Sequence, residues 1–172
     1  MKVKFETIKF LLVALIVLLV GCSPIVHFTS QQSKQSRSQN WGIASKSENL
    51  DPVRLKVVEE ANKWLGTPYC LGGIANCVDC SGLVQNIFRN VGITLPRTAS
   101  EQAQIGRLIK TQDITVGDLL FFGNGKKISH VAIYVGNNEV VHASSSRGVV
   151  RDRLDTILMS NFLFAKRVIE NN

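Results

Sequence analysis

Cys80 follows Asp79 at the head of an apolar helical pattern, while His130 and His142 fall on two consecutive strand-like runs, His130 to Val135 and Val140 to Ser144. Thiol attack on a peptide bond needs a thiolate, an imidazole that takes the proton and returns it to the leaving amine, and a polar group that holds the imidazole in one tautomer. Cys80, His130 and His142 are the residue types for those three roles. A helix start suits the first, because its unpaired N–H groups and dipole stabilise negative charge on sulfur. A lone cysteine there is weak evidence, since free cysteine is among the most buried residue types. The pair of histidines adds weight, because the only other one, His27, lies in a polar N-terminal stretch.

Strand geometry restricts how the histidines meet. Side chains alternate between faces, so loop length decides whether they share one. An even loop around Asn137-Asn138 puts them on opposite faces. An odd loop, such as Gly136-Asn137-Asn138, pairs His142 with Ala132 and leaves His130 one diagonal away on the same face. The chemistry therefore predicts an odd loop or a bulge.

The elements that must hold these groups are legible around them. Asp51 is a candidate N-cap and Pro52 suits a first helical position. Val57, Val58, Ala61, Trp64 and Leu65 recur at helical spacing until Gly66 and Pro68 stop the pattern. A second helix starts near Asp79 or Cys80, with Leu83, Val84, Ile87, Phe88 and Val91 on one face and Gly92 at its end. Thr98-Ala99-Ser100-Glu101 has capping-box spacing and predicts a short third helix to about Gly106. Thereafter short runs at Asp118–Phe122, His130–Val135, Val140–Ser144, Val149–Arg151 and Phe162–Val168 alternate with Gly, Asn and Ser. Helices first and strands later predict an α+β domain, helices packed on a central antiparallel sheet.

The chain of 172 residues holds one domain of ordinary size. Residues 1–21 read as a secretory leader, with Lys2, Lys4 and Lys9 before the apolar run Phe10 to Val20. That run is shorter than the roughly 20 residues a spanning helix needs. Leu19-Val20-Gly21-Cys22 resembles the bacterial lipobox, which implies cleavage before Cys22 and a lipid on its sulfur. Ser23 in place of aspartate then favours the outer membrane in a Gram-negative envelope. Residues 22–50, rich in Ser, Gln and Asn, read as a flexible tether, and 51–172 as the folded domain. The formal charge of +7 includes the leader lysines. A mild positive balance remains, suited to an anionic wall or lipid surface, and no dense Lys/Arg tract argues for nucleic acid.

Several ordered blocks together carry a family resemblance: Gly66-Thr67-Pro68-Tyr69, Gly72-Gly73, Asp79-Cys80-Ser81-Gly82-Leu83-Val84, Leu95-Pro96-Arg97, Gly117-Asp118-Leu119, His130 to Gly136 and Val141-His142-Ala143. They resemble the NlpC family of papain-like cell-wall cysteine peptidases, over roughly Val53 to Val168. The resemblance implies a papain-like domain that hydrolyses peptide bonds in peptidoglycan stems or cross-links, with Cys80 as nucleophile and His130 and His142 as base and orienting residue. It assigns Tyr69 to oxyanion stabilisation with the Cys80 N–H. It also places Asp79 and Ser81 at a stem-peptide amine subsite, although Asp79 serves equally as a helix N-cap. Arg97 has the fork to meet a substrate carboxylate or to make a structural ion pair. The peptidase needs no cofactor or metal. Its expected partners are the peptidoglycan peptide and, through the lipid, a membrane; oligomeric state is not specified.

Cys70 and Cys77 are additional thiols close to the nucleophile. With Cys22 acylated, three remain in an oxidising compartment, so one disulfide and one free thiol is the simplest arithmetic. Pairing Cys70 with Cys77 leaves Cys80 free, whereas Cys77 with Cys80 forms a redox-like motif that masks it. Other readings are a thiol–disulfide oxidoreductase on Cys77 and Cys80, a zinc site from the three cysteines and a histidine, and a non-catalytic peptidoglycan-binding lipoprotein.

Overall fold

A computed structural model describes residues 51–155 and 159–170. The leader, Cys22 and the tether lie outside the described residues. The elements run α1 (Pro52–Lys63), α2 (Cys80–Asn90), α3 (Ala99–Gln102), β1 (Arg107–Ile109), β2 (Leu119–Asn124), β3 (Lys127–Gly136), β4 (Glu139–Ser144), β5 (Gly148–Arg153) and β6 (Phe162–Arg167). The strands form one antiparallel sheet in the order β1-β6-β2-β3-β4-β5. This is the α+β architecture read from the sequence.

Each helix begins where its cap residue stands. The Asp51 carboxylate accepts from the Val53 N–H at 2.8 Å, and Pro52 occupies the first position, where its missing donor costs nothing. Thr98 and Glu101 close the reciprocal capping box of α3. That helix is only four residues long and does not reach Gly106. Its last residue, Gln102, is buried, with the amide turned inward to the Ser81 and Pro96 carbonyls. β1, absent from the sequence reading, follows directly. It has three residues, of which only Ile109 is buried, so it offers no alternation to detect. Leu65 lies beyond the end of α1 and is exposed, rather than on its core face.

Core packing is two-sided. On one face of the sheet, Leu119, Phe121, Val131, Ile133, Val141 and Ala143 meet Val57 and Ala61 of α1 and Leu83, Val84, Ile87 and Phe88 of α2. Each of those four α2 side chains is fully buried and contributes roughly 1.5–3 kcal/mol. On the other face, Leu120, Phe122, Ala132, Tyr134 and Val140 pack with Ile109, Ile114, Leu154 and Ala165. Buried Asp118 is held by two hydrogen bonds from Arg167, at 2.8 and 2.7 Å, which keeps the charges of that inner layer paired.

The β3–β4 hairpin decides the arrangement of the histidines. Asn137 and Asn138 both have positive φ, 52° and 61°, as a two-residue turn matched to strand twist requires. An uninterrupted ladder from Gly136–Glu139 would set His142 opposite Ile133, on the face away from His130. Instead the register shifts between Tyr134 and Gly136, so Val135 bulges and Tyr134 pairs with Val140 and Ile133 with Val141. Continued along the strands, that register puts His142 opposite Ala132, on the face that carries His130.

Candidate active site

Cys80 opens α2 because Asp79 caps it. The Asp79 side chain accepts from the Gly82 N–H at 2.7 Å and the Gly72 N–H at 2.9 Å, and receives both prongs of Arg97 at 2.9 and 2.7 Å. Ser81 donates to the same carboxylate at 3.3 Å while accepting from Arg97. Burial alone would raise the Asp79 pKa, but these donors hold it below the ordinary aspartate range. Asp79, Ser81 and Arg97 therefore form one closed cluster whose hydrogen bonds are spent largely on one another.

The segment before α2 is stapled. Cys70 and Cys77 form a disulfide with Cα atoms 5.5 Å apart, and Cys80 is the free thiol among the described cysteines. The arrangement leaves Cys77 unavailable to Cys80 and occupies two of the three sulfurs a zinc site would use. Gly73 sits inside the staple, where a Cβ would lie 2.1 Å from the Cys70 sulfur. Its carbonyl accepts from the Asp79 N–H and from Arg97, each at 3.3 Å. Tyr69 bridges to Val78 just ahead of the helix, and its phenol is raised in pKa by burial and then by the charges of Cys80 and Asp79.

The sulfur of Cys80 reaches the sheet from the helix side. The backbone amides of Val131, Ser81 and Cys80 itself act to lower the Cys80 pKa. The influence of the Val131 amide puts the thiol near β3, the strand that carries His130. Burial outweighs these donors, and Asp79 adds to it, so the thiol stays above its ordinary pKa. The helix terminus thus supplies donors for a thiolate without forming one at rest.

His130 and His142 meet through Nε2 and Nδ1 at 2.9 Å, their rings nearly perpendicular. Burial first and His142 second lower the His130 pKa to about 4, and burial lowers that of His142 as well. Burial thus favours the neutral form of both the thiol and the imidazole. Beyond them lies Asp152, which the sequence reading missed: its Oδ2 is 3.0 Å from His142 Nε2, and Arg147 donates to both of its oxygens. The signal was the β4–β5 register, in which Val150 pairs with His142 and Asp152 stands one diagonal away on the same face. Among the described residues no group of three or more His, Cys, Asp or Glu is placed to hold a metal ion.

The buried pair predicts how stability follows pH. Both histidines have folded pKa values below the unfolded 6.5, so the unfolded chain binds more protons between about 4 and 6.5. Their contribution is fully present above pH 6.5 and is lost as pH falls toward 4. Melting temperatures recorded from pH 7 to pH 4 are expected to fall through this window, and His130→Gln is expected to flatten the fall. A flat native profile would contradict the burial of neutral imidazoles.

The NlpC/P60 family model matches residues 66–168, the segment that contains the site from Gly66 to the end of β6. The chain belongs to the NlpC/P60 family. Among relatives, it is 41% identical over 104 residues to the murein DD-endopeptidase MepS/murein LD-carboxypeptidase of Escherichia coli strain K12, covering 59% of this chain and 55% of that one. It is 42% identical over 115 residues to the probable endopeptidase NlpC of the same organism, covering 64% and 75%. A solved NlpC/P60 family protein from Bacillus cereus superposes with a TM-score of 0.67 at 30% identity, over 69% of this chain and 41% of the other. The chain thus spans about half the length of the MepS relative it matches. The six-stranded sheet with its few helices is the NlpC/P60 papain-like fold.

Proposed function

We propose that the protein is a cysteine endopeptidase that hydrolyses peptide bonds in peptidoglycan stem peptides or cross-links, with Cys80 as nucleophile, His130 as general base and acid, and His142 as the residue that orients His130. The observations that carry this reading are the row of hydrogen bonds from His130 through His142 to Asp152 and the free thiol at a helix N-terminus. The substrate class comes from the name of one relative, the murein DD-endopeptidase MepS/murein LD-carboxypeptidase.

The steps follow from these positions. His130 takes the thiol proton as sulfur attacks the scissile carbonyl carbon, and the oxyanion meets the Cys80 N–H and the Tyr69 phenol. The intermediate collapses to a thioester when the His130 imidazolium protonates the leaving amine. Water, deprotonated by His130, then releases the acyl group and restores the thiol. Asp79, Ser81 and Arg97 border the cleft, and Arg97, a third exposed, is the member of the cluster able to meet a substrate carboxylate or amide.

The same proposal includes the anchor. Removal of residues 1–21 leaves Cys22 to carry diacylglycerol, and Ser23 directs the lipoprotein to the outer membrane of a Gram-negative envelope. Buried acyl chains contribute about 0.8 kcal/mol per CH₂, so the tether holds the domain within reach of the wall.

Digestion of purified sacculi, followed by mass spectrometry of the soluble products, tests the reading. Expected are fragments with a new amine on diaminopimelate, released from D-alanyl cross-links or from D-glutamyl bonds within stems. Binding to sacculi with no released fragments would overturn it.

A further inference from the structure

A carboxylate one hydrogen bond beyond the histidine pair has a role that the three-residue account leaves open. Asp152 Oδ2 stands 3.0 Å from His142 Nε2, and both side chains are nearly buried, 11% and 5% exposed. Arg147 grips the same carboxylate through both of its terminal nitrogens, one of them 3.0 Å from Oδ1. Arg147 first, and His142 after it, hold the Asp152 carboxyl down to about 2 against the cost of its burial.

An ionised carboxylate only accepts, so the nitrogen of His142 that faces it carries the hydrogen. A neutral imidazole has one N–H, and with that hydrogen on Nε2 the Nδ1 of His142 is a bare lone pair. The contact at 2.9 Å between His142 Nδ1 and His130 Nε2 then requires the hydrogen to sit on His130 Nε2. His130 is left with an unprotonated Nδ1, the only ring nitrogen able to take a proton from a thiol. Reversing the direction at Asp152 reverses it throughout, and His130 Nδ1 would already carry its hydrogen.

We propose that Asp152, clamped by Arg147, is a positioning residue that sets the direction of the His142–His130 hydrogen bonds and so keeps His130 competent as a base. Arg147 completes the device by making the carboxylate too weak a base to remove the hydrogen from His142. When His130 becomes an imidazolium during attack, its Nε2–H still points to His142, so no hydrogen bond in the row has to reverse. The inference rests on Cys80 and His130 being nucleophile and base, but its central measurement does not depend on activity.

Nitrogen-15 spectra of histidine-labelled native protein near pH 7.5 report the tautomers directly. Both His130 and His142 are expected to carry hydrogen on Nε2, and a native His142 with hydrogen on Nδ1 would overturn the proposal. Asp152→Asn is expected to mix the His142 tautomers and to lower kcat by about 10- to 100-fold, with KM changed by less than about twofold. Unchanged tautomers with unchanged kcat in that variant would also overturn it. If Asp152→Asn does not fold, the native spectrum alone decides. Retained hydrolysis in Cys80→Ala would dispose of the functional reading while leaving the tautomer result standing.

Discussion

Cys80→Ala is expected to lower the release of fragments from sacculi by at least about four orders of magnitude while leaving the domain folded. The thiol is the only atom removed, and its loss relieves a group whose ionisation burial already opposes. His130→Ala is expected to reach nearly the same floor, because the thiol rests protonated and without a base its attack is slow. The double variant should be little worse than either single one, since the two groups act as a unit. Fragment release and melting temperature, measured on all three proteins, check both halves of the expectation. Additive losses, or a Cys80→Ala protein with native turnover, would place the chemistry elsewhere.

Gly82→Ala is expected to destabilise the domain, against the usual sign. In a helix interior, alanine in place of glycine gains about 1 kcal/mol. At Gly82, in the first turn of α2, a Cβ would lie 2.3 Å from the Gly73 carbonyl oxygen and 3.0 Å from Asp79 Oδ1. Neither neighbour yields easily. Gly73 is enclosed by the Cys70–Cys77 staple, and Asp79 is fixed by the Gly72, Gly82 and Arg97 donors. We expect a loss of roughly 2–4 kcal/mol in denaturant unfolding. Turnover should fall about tenfold or more, because displacement of the α2 start moves sulfur away from β3. A midpoint equal to or above that of the native protein would show that the Gly73 loop gives way.

Much of this was readable before any coordinates. Asp51, Asp79 and Thr98 marked their helix starts because capping is local chemistry, written within three or four residues. The core face of α2 was explicit in its spacing, and five of the six strands stood out as apolar runs, though β2, β3, β4 and β5 extend further than those runs. The requirement that the histidines share a face led to a bulge or an odd loop, and the structure answers with a bulge at Val135. What escaped depended on pairing between segments. Asp152 joins the site only through the β4–β5 register. Arg97 closes on Asp79 across a loop, and no residue near either announces the other. β1 is recruited by β6, with Ile109 opposite Ala165, and has little pattern of its own.

Under the proposed function, the place of the sulfur ties activity to an intact fold. Cys80 belongs to a helix on one side of the sheet, while the β3–β4 register sets His130 and His142 on the face of Ala132 and Tyr134. An unfolded chain holds the same residues with nothing to bring them together. Under the proposed function, hydrolytic competence therefore requires α2 to be docked through Leu83, Val84, Ile87 and Phe88. A chain in which that docking has loosened is expected to lose turnover before its sheet is lost.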